Sequence, residues 1–130
     1  MKIKTSGLQG IQLDYAVAKS MGEIDNQVRI GISPFVPACV YDEYSNHMFS
    51  NRSGRHFSPS TIWEQGGPII DSEELSLNLS PVDGWESWQW TKEGKIVFSQ
   101  CGPTALIAAM RCYVARKLGD IVEIPKELSK

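Results

Sequence analysis

The stretch between Gly102 and Gly119 constrains the fold most, because it predicts one long helix. Its large apolar residues recur at the three- and four-residue spacing of a broad buried helix face: Leu106, Ile107, Met110, Val114 and Leu118. Gly102 is suited to cap this helix with Pro103 at its first position, and Gly119 to end it. A helix with so broad an apolar face must pack against other elements.

Shorter patterns predict the elements that cover this helix. Residues 11–21 follow helical spacing and form a candidate first helix. Five segments read as short strands, of which the last two form a hairpin: 1–5, 28–32, 75–79, 85–91 and 95–99. We therefore predict an α+β fold, with a small antiparallel sheet packed against an N-terminal helix and a long C-terminal helix. The expected organisation is a single domain spanning residues 1–130.

Two further segments are irregular by pattern. Residues 40–57 are rich in Asn, Ser, Gly and Arg and follow no sustained period, which predicts a long loop. Loops of this length in a compact domain are usually functional or mobile. The sequence Gly66-Gly67-Pro68 predicts a sharp turn that opens a short helix.

Charge and hydropathy argue against several classes of protein. The net charge of −2 does not favour a protein that grips the phosphate backbone of nucleic acid, which normally has a basic face. No apolar run approaches the roughly 20 residues that span a bilayer. The first residues lack the apolar stretch of a signal peptide. A cytoplasmic protein without membrane association is expected.

The cysteines and histidines offer weak chemistry. Cys101 precedes the predicted long helix, where the dipole would favour a thiolate, and His47 or His56 could serve as its base. The alternative is a small half-buried residue at a turn. Cys39 with the two histidines matches no standard zinc spacing. Neither a metal site nor a cofactor is predicted.

An acidic run gives a second candidate for catalysis. Asp71, Glu73 and Glu74 could hold a cation or act as an acid and base pair. A solvated helix end is the preferred interpretation, because exposed carboxylates are the common case.

Aromatic and basic residues suggest a binding surface. The four tryptophans are expected to pack in the core, with an exposed anchor for a partner as the alternative: Trp63, Trp85, Trp88 and Trp90. The segment Tyr41–Trp63, which contains most of the long loop, has several side chains of the types that dominate interfaces. The predicted binding residues are Tyr41, Tyr44, Arg52, Arg55, His56, Phe57 and Trp63.

Three blocks of sequence resemble the NinX-like proteins of tailed phages and enterobacterial prophages. They are residues 13–19 (LDYAVAK), residues 58–70 (SPSTIWEQGGPII) and residues 102–120 (GPTALIAAMRCYVARKLGD). The resemblance covers nearly the whole chain, and the order and spacing of the three blocks make it specific. The resemblance implies a small phage accessory protein and carries over no catalytic residue.

Three hypotheses of function follow from these observations. The first is a binding or adaptor module whose partner is a host or phage protein. The second is a small enzyme that uses Cys101 or the acidic run. The third is a binder of single-stranded nucleic acid, with Arg52, Arg55, His56 and Phe57 stacking or pairing beside the tryptophans.

Overall fold

A computed structural model describes residues 1–21, 28–31, 39–42 and 58–124 of the chain. The described residues contain three α-helices and seven strands, which confirms the predicted α+β class. The helices are α1 (Gly10–Ser20), α2 (Trp63–Ser72) and α3 (Ala105–Leu118). The strands are β1 (Lys2–Lys4), β2 (Val28–Gly31), β3 (Cys39–Asp42), β4 (Ser76–Ser80), β5 (Gly84–Trp90), β6 (Ile96–Gly102) and β7 (Ile121–Glu123). Among the helices described, none is long and apolar enough to cross a bilayer.

Helix α3 is the central element of the core. Nine of the ten residues from Leu106 to Ala115 are buried, so the helix is covered on all sides over most of its length. This is the pattern of an interior helix. Small residues at Ala108, Ala109 and Cys112 allow the covering elements to approach closely.

The C-terminal end of α3 is formed by the expected residue, but its N-terminal end is not. Thr104, not Gly102, is the N-cap: its Oγ1 accepts a hydrogen bond of 3.1 Å from the backbone N–H of Ile107. Gly102 instead ends β6, where an added Cβ would lie 2.8 Å from the backbone N of Ala108. Gly119 ends the helix at φ 93°, as predicted.

The largest sheet has the antiparallel order β4-β5-β6 and packs against α3. The turn before β5 and the hairpin after it were both predicted, and β4 pairs β5 from Ser76↔Trp88 to Ser80↔Gly84. A bulge interrupts the β5–β6 pairing between Ser87 and Gln89. Near it, Phe98 adopts a φ of 57°, a conformation that is strained for a residue with a side chain.

Two smaller sheets complete the described fold. Strand β1 pairs with β7 across nearly the whole chain, from Lys2↔Glu123 to Lys4↔Ile121. Helix α1 packs against α3 and contributes Leu13 and Val17 to the core. Strand β2 pairs with β3, so residues 40–42, which were predicted as the start of a long loop, are strand instead. Residues 43–57 lie outside the described residues.

Helix α2 corrects the predicted glycine turn. Gly66, Gly67 and Pro68 all lie inside the helix, which begins at Trp63. The reason for Gly66 is close packing, because a Cβ there would lie 2.4 Å from the carbonyl O of Pro59 and 2.6 Å from Cδ2 of Leu106. The glycine permits α2 to approach both the preceding turn and α3.

We expect Gly66→Ala to destabilise the protein by about 1–3 kcal/mol, because the backbone carbonyl of Pro59 cannot move aside freely. In an open helix the same change would be favourable by up to about 1 kcal/mol. Gly67→Ala is the matched control, since its Cβ would have its nearest contact at 3.9 Å, with Trp63. Denaturant unfolding of both variants tests the difference. Equal stabilities for the two variants would contradict this account of Gly66.

Candidate functional site

Part of the outer face of the three-stranded sheet is apolar and exposed. Leu77 and Ser87 form a cross-strand pair on the side that packs toward the core. Because side chains alternate along a strand, Trp88 lies on the opposite side. Its ring contacts Trp90 edge-to-face, with 6.3 Å between the centroids and 80° between the planes.

Strand β6 extends this apolar surface. Ile96 is the cross-strand partner of Trp90, and directly opposed residues share one face of a sheet. Trp90 is 56% exposed and Ile96 51%. We call Trp88, Trp90 and Ile96 the aromatic face. Phe98, itself 43% exposed, lies two residues along β6 beside the bulge.

The tryptophans are therefore not part of the core, which differs from the interpretation preferred from the sequence. Trp63 is 58% exposed at the start of α2, and Trp90 is equally open. Trp85 and Trp88 are half-buried. The sharing of a strand face by Trp88 and Trp90 was predicted and is confirmed by their ring contact. The interior is filled instead by aliphatic residues and alanines, which fit around a helix covered on all sides.

The predicted binding residues are only partly described by the structure. Tyr41 was placed in a loop but lies on β3, where it pairs with Arg29 of β2. Trp63 is the first residue of α2. Tyr44, Arg52, Arg55, His56 and Phe57 lie outside the described residues, as do both histidines proposed for catalysis or metal binding.

Cys101 does not have the environment of an activated thiol. It lies within β6 opposite Glu86. It precedes α3 as predicted, but by three residues before the N-cap and not directly before it. Desolvation, with the nearby carboxylates of Glu86 and Asp83, raises the pKa of its thiol. A raised pKa lowers the thiolate fraction, which is the reactive form. This disfavours Cys101 as a nucleophile.

The acidic run divides into three different environments. Glu73 pairs with Arg116 of α3 and lies 3.9 Å from the ammonium N of Lys117. Asp71 is exposed at the end of α2, and Glu74 is exposed with a φ of 54°. The run therefore joins α2 to the C-terminal end of α3 through Glu73, which gives it a structural use.

A buried carboxylate that sequence reasoning missed joins α1 to the turn before α2. Asp14 is 3% exposed. Its Oδ1 accepts from the backbone N–H of Ser60 and its Oδ2 from the hydroxyl of Ser58, both at 3.0 Å. Burial raises the pKa of Asp14 to about 6, although these hydrogen bonds act in the opposite direction. Asp14 and its two serine partners lie in two of the sequence blocks that resemble the family, but no spacing rule predicts that these blocks meet.

A second missed residue is Arg111, which lies among the apolar residues of α3 and is only 9% exposed. Its guanidinium donates to the carbonyl O of Leu8 at 2.8 Å and to that of Cys101 at 2.7 Å. It thus ties α3 to the turn before α1 and to β6. A charged residue in the middle of an apolar helix was the available signal.

Arg111 also lines an open cleft of about 580 Å³. The other lining residues come from the first turn, the β4–β5 turn and the end of β6: Ser6, Asp83, Ser99, Gln100, Cys101, Gly102 and Pro103. The aromatic face and this cleft are the two surfaces of the described residues with the features of recognition sites.

Comparison with known proteins identifies a family. The family model described as Bacteriophage P22, NinX matches residues 4–117. The match includes α1, the Ser58–Ser60 turn, the three-stranded sheet and nearly all of α3. No curated protein matches the chain.

Proposed function

The chain belongs to the NinX family of bacteriophage proteins, and from this premise we propose that it is a binding module of the infected host cytoplasm that docks a host or phage protein on the aromatic face. The observation that carries the proposal is the exposure of Trp90 and Ile96 on a sheet face turned away from the core. Exposed apolar patches on a folded domain commonly mark sites of protein interaction.

The surroundings of the aromatic face suit a protein interface. A shallow depression of about 460 Å³ adjoins Trp90 and contains Glu74, Lys92 and Arg116. An apolar centre with a charged edge of mixed sign is the usual composition of such an interface. Tryptophan is also the residue type most enriched among those that dominate binding energy.

Nucleic-acid binding is less well supported by this surface. Stacking of bases on Trp88 and Trp90 would require nearby cations for the phosphates. Lys92 and Arg116 do lie near Trp90, but Arg116 pairs with Glu73 and Glu74 lines the same depression. Glu86 also lies two positions before Trp88, on the same side of β5. The net charge of −2 acts in the same direction. We retain protein as the proposed partner.

We expect Trp90→Ala to weaken capture of the partner by roughly 30-fold, the effect of losing a dominant interface residue worth about 2 kcal/mol. Stability should change by only about 1 kcal/mol, the worth of the edge-to-face contact with Trp88. The partner is first identified by affinity capture from nuclease-treated infected cells. Its dissociation constant is then measured with purified proteins. Ile121→Ala is the matched control, because Ile121 is 58% exposed on a different sheet.

The same measurement separates the remaining hypotheses. Loss of affinity in Arg52→Ala with Arg55→Ala, or in Trp63→Ala, but not in Trp90→Ala would move the interface to the segment predicted from sequence. Binding that survives only without nuclease, and falls steeply with salt, would indicate nucleic acid. Self-association of the pure protein that Trp90→Ala abolishes would identify a second copy as the occupant. Equal partner affinities for wild type and Trp90→Ala would overturn the proposal.

A further inference from the structure

Arg111 is a buried cation with unused hydrogen-bonding capacity. A guanidinium has five N–H donors, and two of them are engaged by the carbonyls of Leu8 and Cys101. Three N–H donors remain, and no carboxylate within the described part of the chain forms an ion pair with this side chain. Buried charges in proteins are normally paired, because removing an ion from water is costly.

Burial also affects the charge of Arg111. Desolvation lowers the pKa of its guanidinium, so the surroundings disfavour the positive charge. Two backbone carbonyls supply partial negative charge but no full counter-ion. An anion placed beside the guanidinium would strengthen both its charge and its hydrogen bonding.

The cleft gives such an anion access. Arg111 lines it together with the polar residues Ser99 and Gln100, and its volume of about 580 Å³ accommodates a small molecule. Gly102 and Pro103 also line it and directly precede Thr104, the N-cap of α3. The positive end of the α3 dipole is therefore close by, which favours a negative group at the same place.

We propose that this cleft binds a small ligand through an oxyanion, a phosphate or carboxylate group held by the free N–H donors of Arg111. The planar guanidinium matches the two oxygens of such a group. The site is separate from the aromatic face and does not depend on the function proposed for that face.

Asp83 restricts the ligand further. It is exposed in the β4–β5 turn and lines the same cleft. A simple anion would be repelled by its carboxylate, whereas a ligand with an ammonium or other donor group opposite the oxyanion would satisfy it. The preferred ligand class is therefore zwitterionic, with its anionic end at Arg111 and its donor end at Asp83.

The test uses three probes at constant ionic strength: inorganic phosphate, acetate and phosphoethanolamine. Binding is followed by NMR at the Arg111 side-chain N–H and the Cys101 amide. We expect saturable chemical-shift changes, with phosphoethanolamine binding more tightly than phosphate. A comparison of the affinities for phosphate and acetate decides whether the site prefers a phosphate or a carboxylate group. Arg111→Lys should weaken binding by about tenfold or more, the loss expected for a charged hydrogen bond. Asp83→Asn should remove the preference for phosphoethanolamine and tighten phosphate.

Two controls keep the result decisive. Arg116→Lys changes an arginine on the same helix that is outside the cleft, so it should leave all three affinities unchanged. The exposed thiol of Cys101 lines the cleft, so bound ligand should slow its alkylation in the unaltered protein. If Arg111→Lys fails to fold, the protection of Cys101 from alkylation and the affinities of Asp83→Asn still test whether the cleft binds the ligand. Absence of saturable shifts for all three probes, or equal binding by folded Arg111→Lys, would overturn the proposal.

Discussion

Met110→Ala is expected to lower the free energy of unfolding by about 2–5 kcal/mol, the range measured for truncating large buried aliphatic residues. Met110 is fully buried in α3 at the centre of the core. Both the lost apolar contact and the cavity left behind contribute to this cost. Alanine is the best helix former, so the effect cannot arise from weaker helix propensity.

Denaturant unfolding with a two-state fit measures the effect. Leu79→Ala is the matched control, because it also truncates an aliphatic side chain but at a position that is 60% exposed. The control should stay within about 0.5 kcal/mol of wild type, as surface changes usually do. Equal effects for the two variants would show that α3 is not packed as described.

The second large effect is a pH dependence that comes from Asp14. Its pKa is about 6 in the folded protein against an ordinary value of 3.8. At 1.36 kcal/mol for each unit of pKa, the difference amounts to about 3 kcal/mol. The group should account for one of the largest single pH effects on the stability of this chain.

The sign of this effect follows from proton linkage. Below about pH 4 the folded and unfolded chains both carry the proton, so Asp14 makes no difference. Between about pH 4 and 6 the unfolded chain releases the proton while the folded chain keeps it, so stability falls as pH rises. Above pH 6 both states are ionised, and the loss of about 3 kcal/mol is complete.

Asp14→Asn isolates this contribution. The amide can still accept from Ser60 and can donate to the Ser58 hydroxyl, so the fold should be kept. Unfolding free energies measured from pH 4 to 7 should show the variant gaining about 3 kcal/mol relative to wild type. Glu123→Gln provides the opposite sign, because the N-terminal ammonium lowers the pKa of Glu123. If the difference in unfolding free energy between wild type and Asp14→Asn did not change with pH, the description of Asp14 as a buried group that ionises in this range would be wrong.

The parts of the fold that the sequence predicted are those with a local cause. Helix α3 was predicted because its apolar residues recur at helical spacing and Gly119 supplies the left-handed end. The β4–β5–β6 meander was predicted because alternation and turn residues are both read within a few positions. Strand β7 has only Val122 buried of its three residues, which leaves almost no alternation to detect.

Long-range packing explains the errors. Gly66 and Gly102 were predicted as turn or cap residues, but each is needed because another part of the chain packs closely against it. At Gly66 the close atoms belong to Pro59 and Leu106, and at Gly102 they belong to the start of α3. Sequence spacing does not show which backbone will approach a glycine. The same limit applied to Asp14, whose hydrogen-bond partners are 44 and 46 residues away.

The candidate surfaces show the same division. Alternation correctly placed Trp88 and Trp90 on one strand face, but could not decide whether that face is covered. Coverage depends on α3 and its neighbours packing on the opposite side. The Arg111 cleft could not be predicted, because its lining residues come from four separated segments.

The pairing of β1 with β7 has a consequence for the order in which the molecule assembles. Ile3 meets Val122, and the backbone N–H of Thr5 donates to the carbonyl O of Asp120. Strand β1 is synthesised well before β7, so its hydrogen bonds cannot form until β7 has also been made. Closing so long a loop has a high entropic cost until the intervening chain has collapsed. The hairpins and α3 are therefore expected to form first, and the β1–β7 strand pair last.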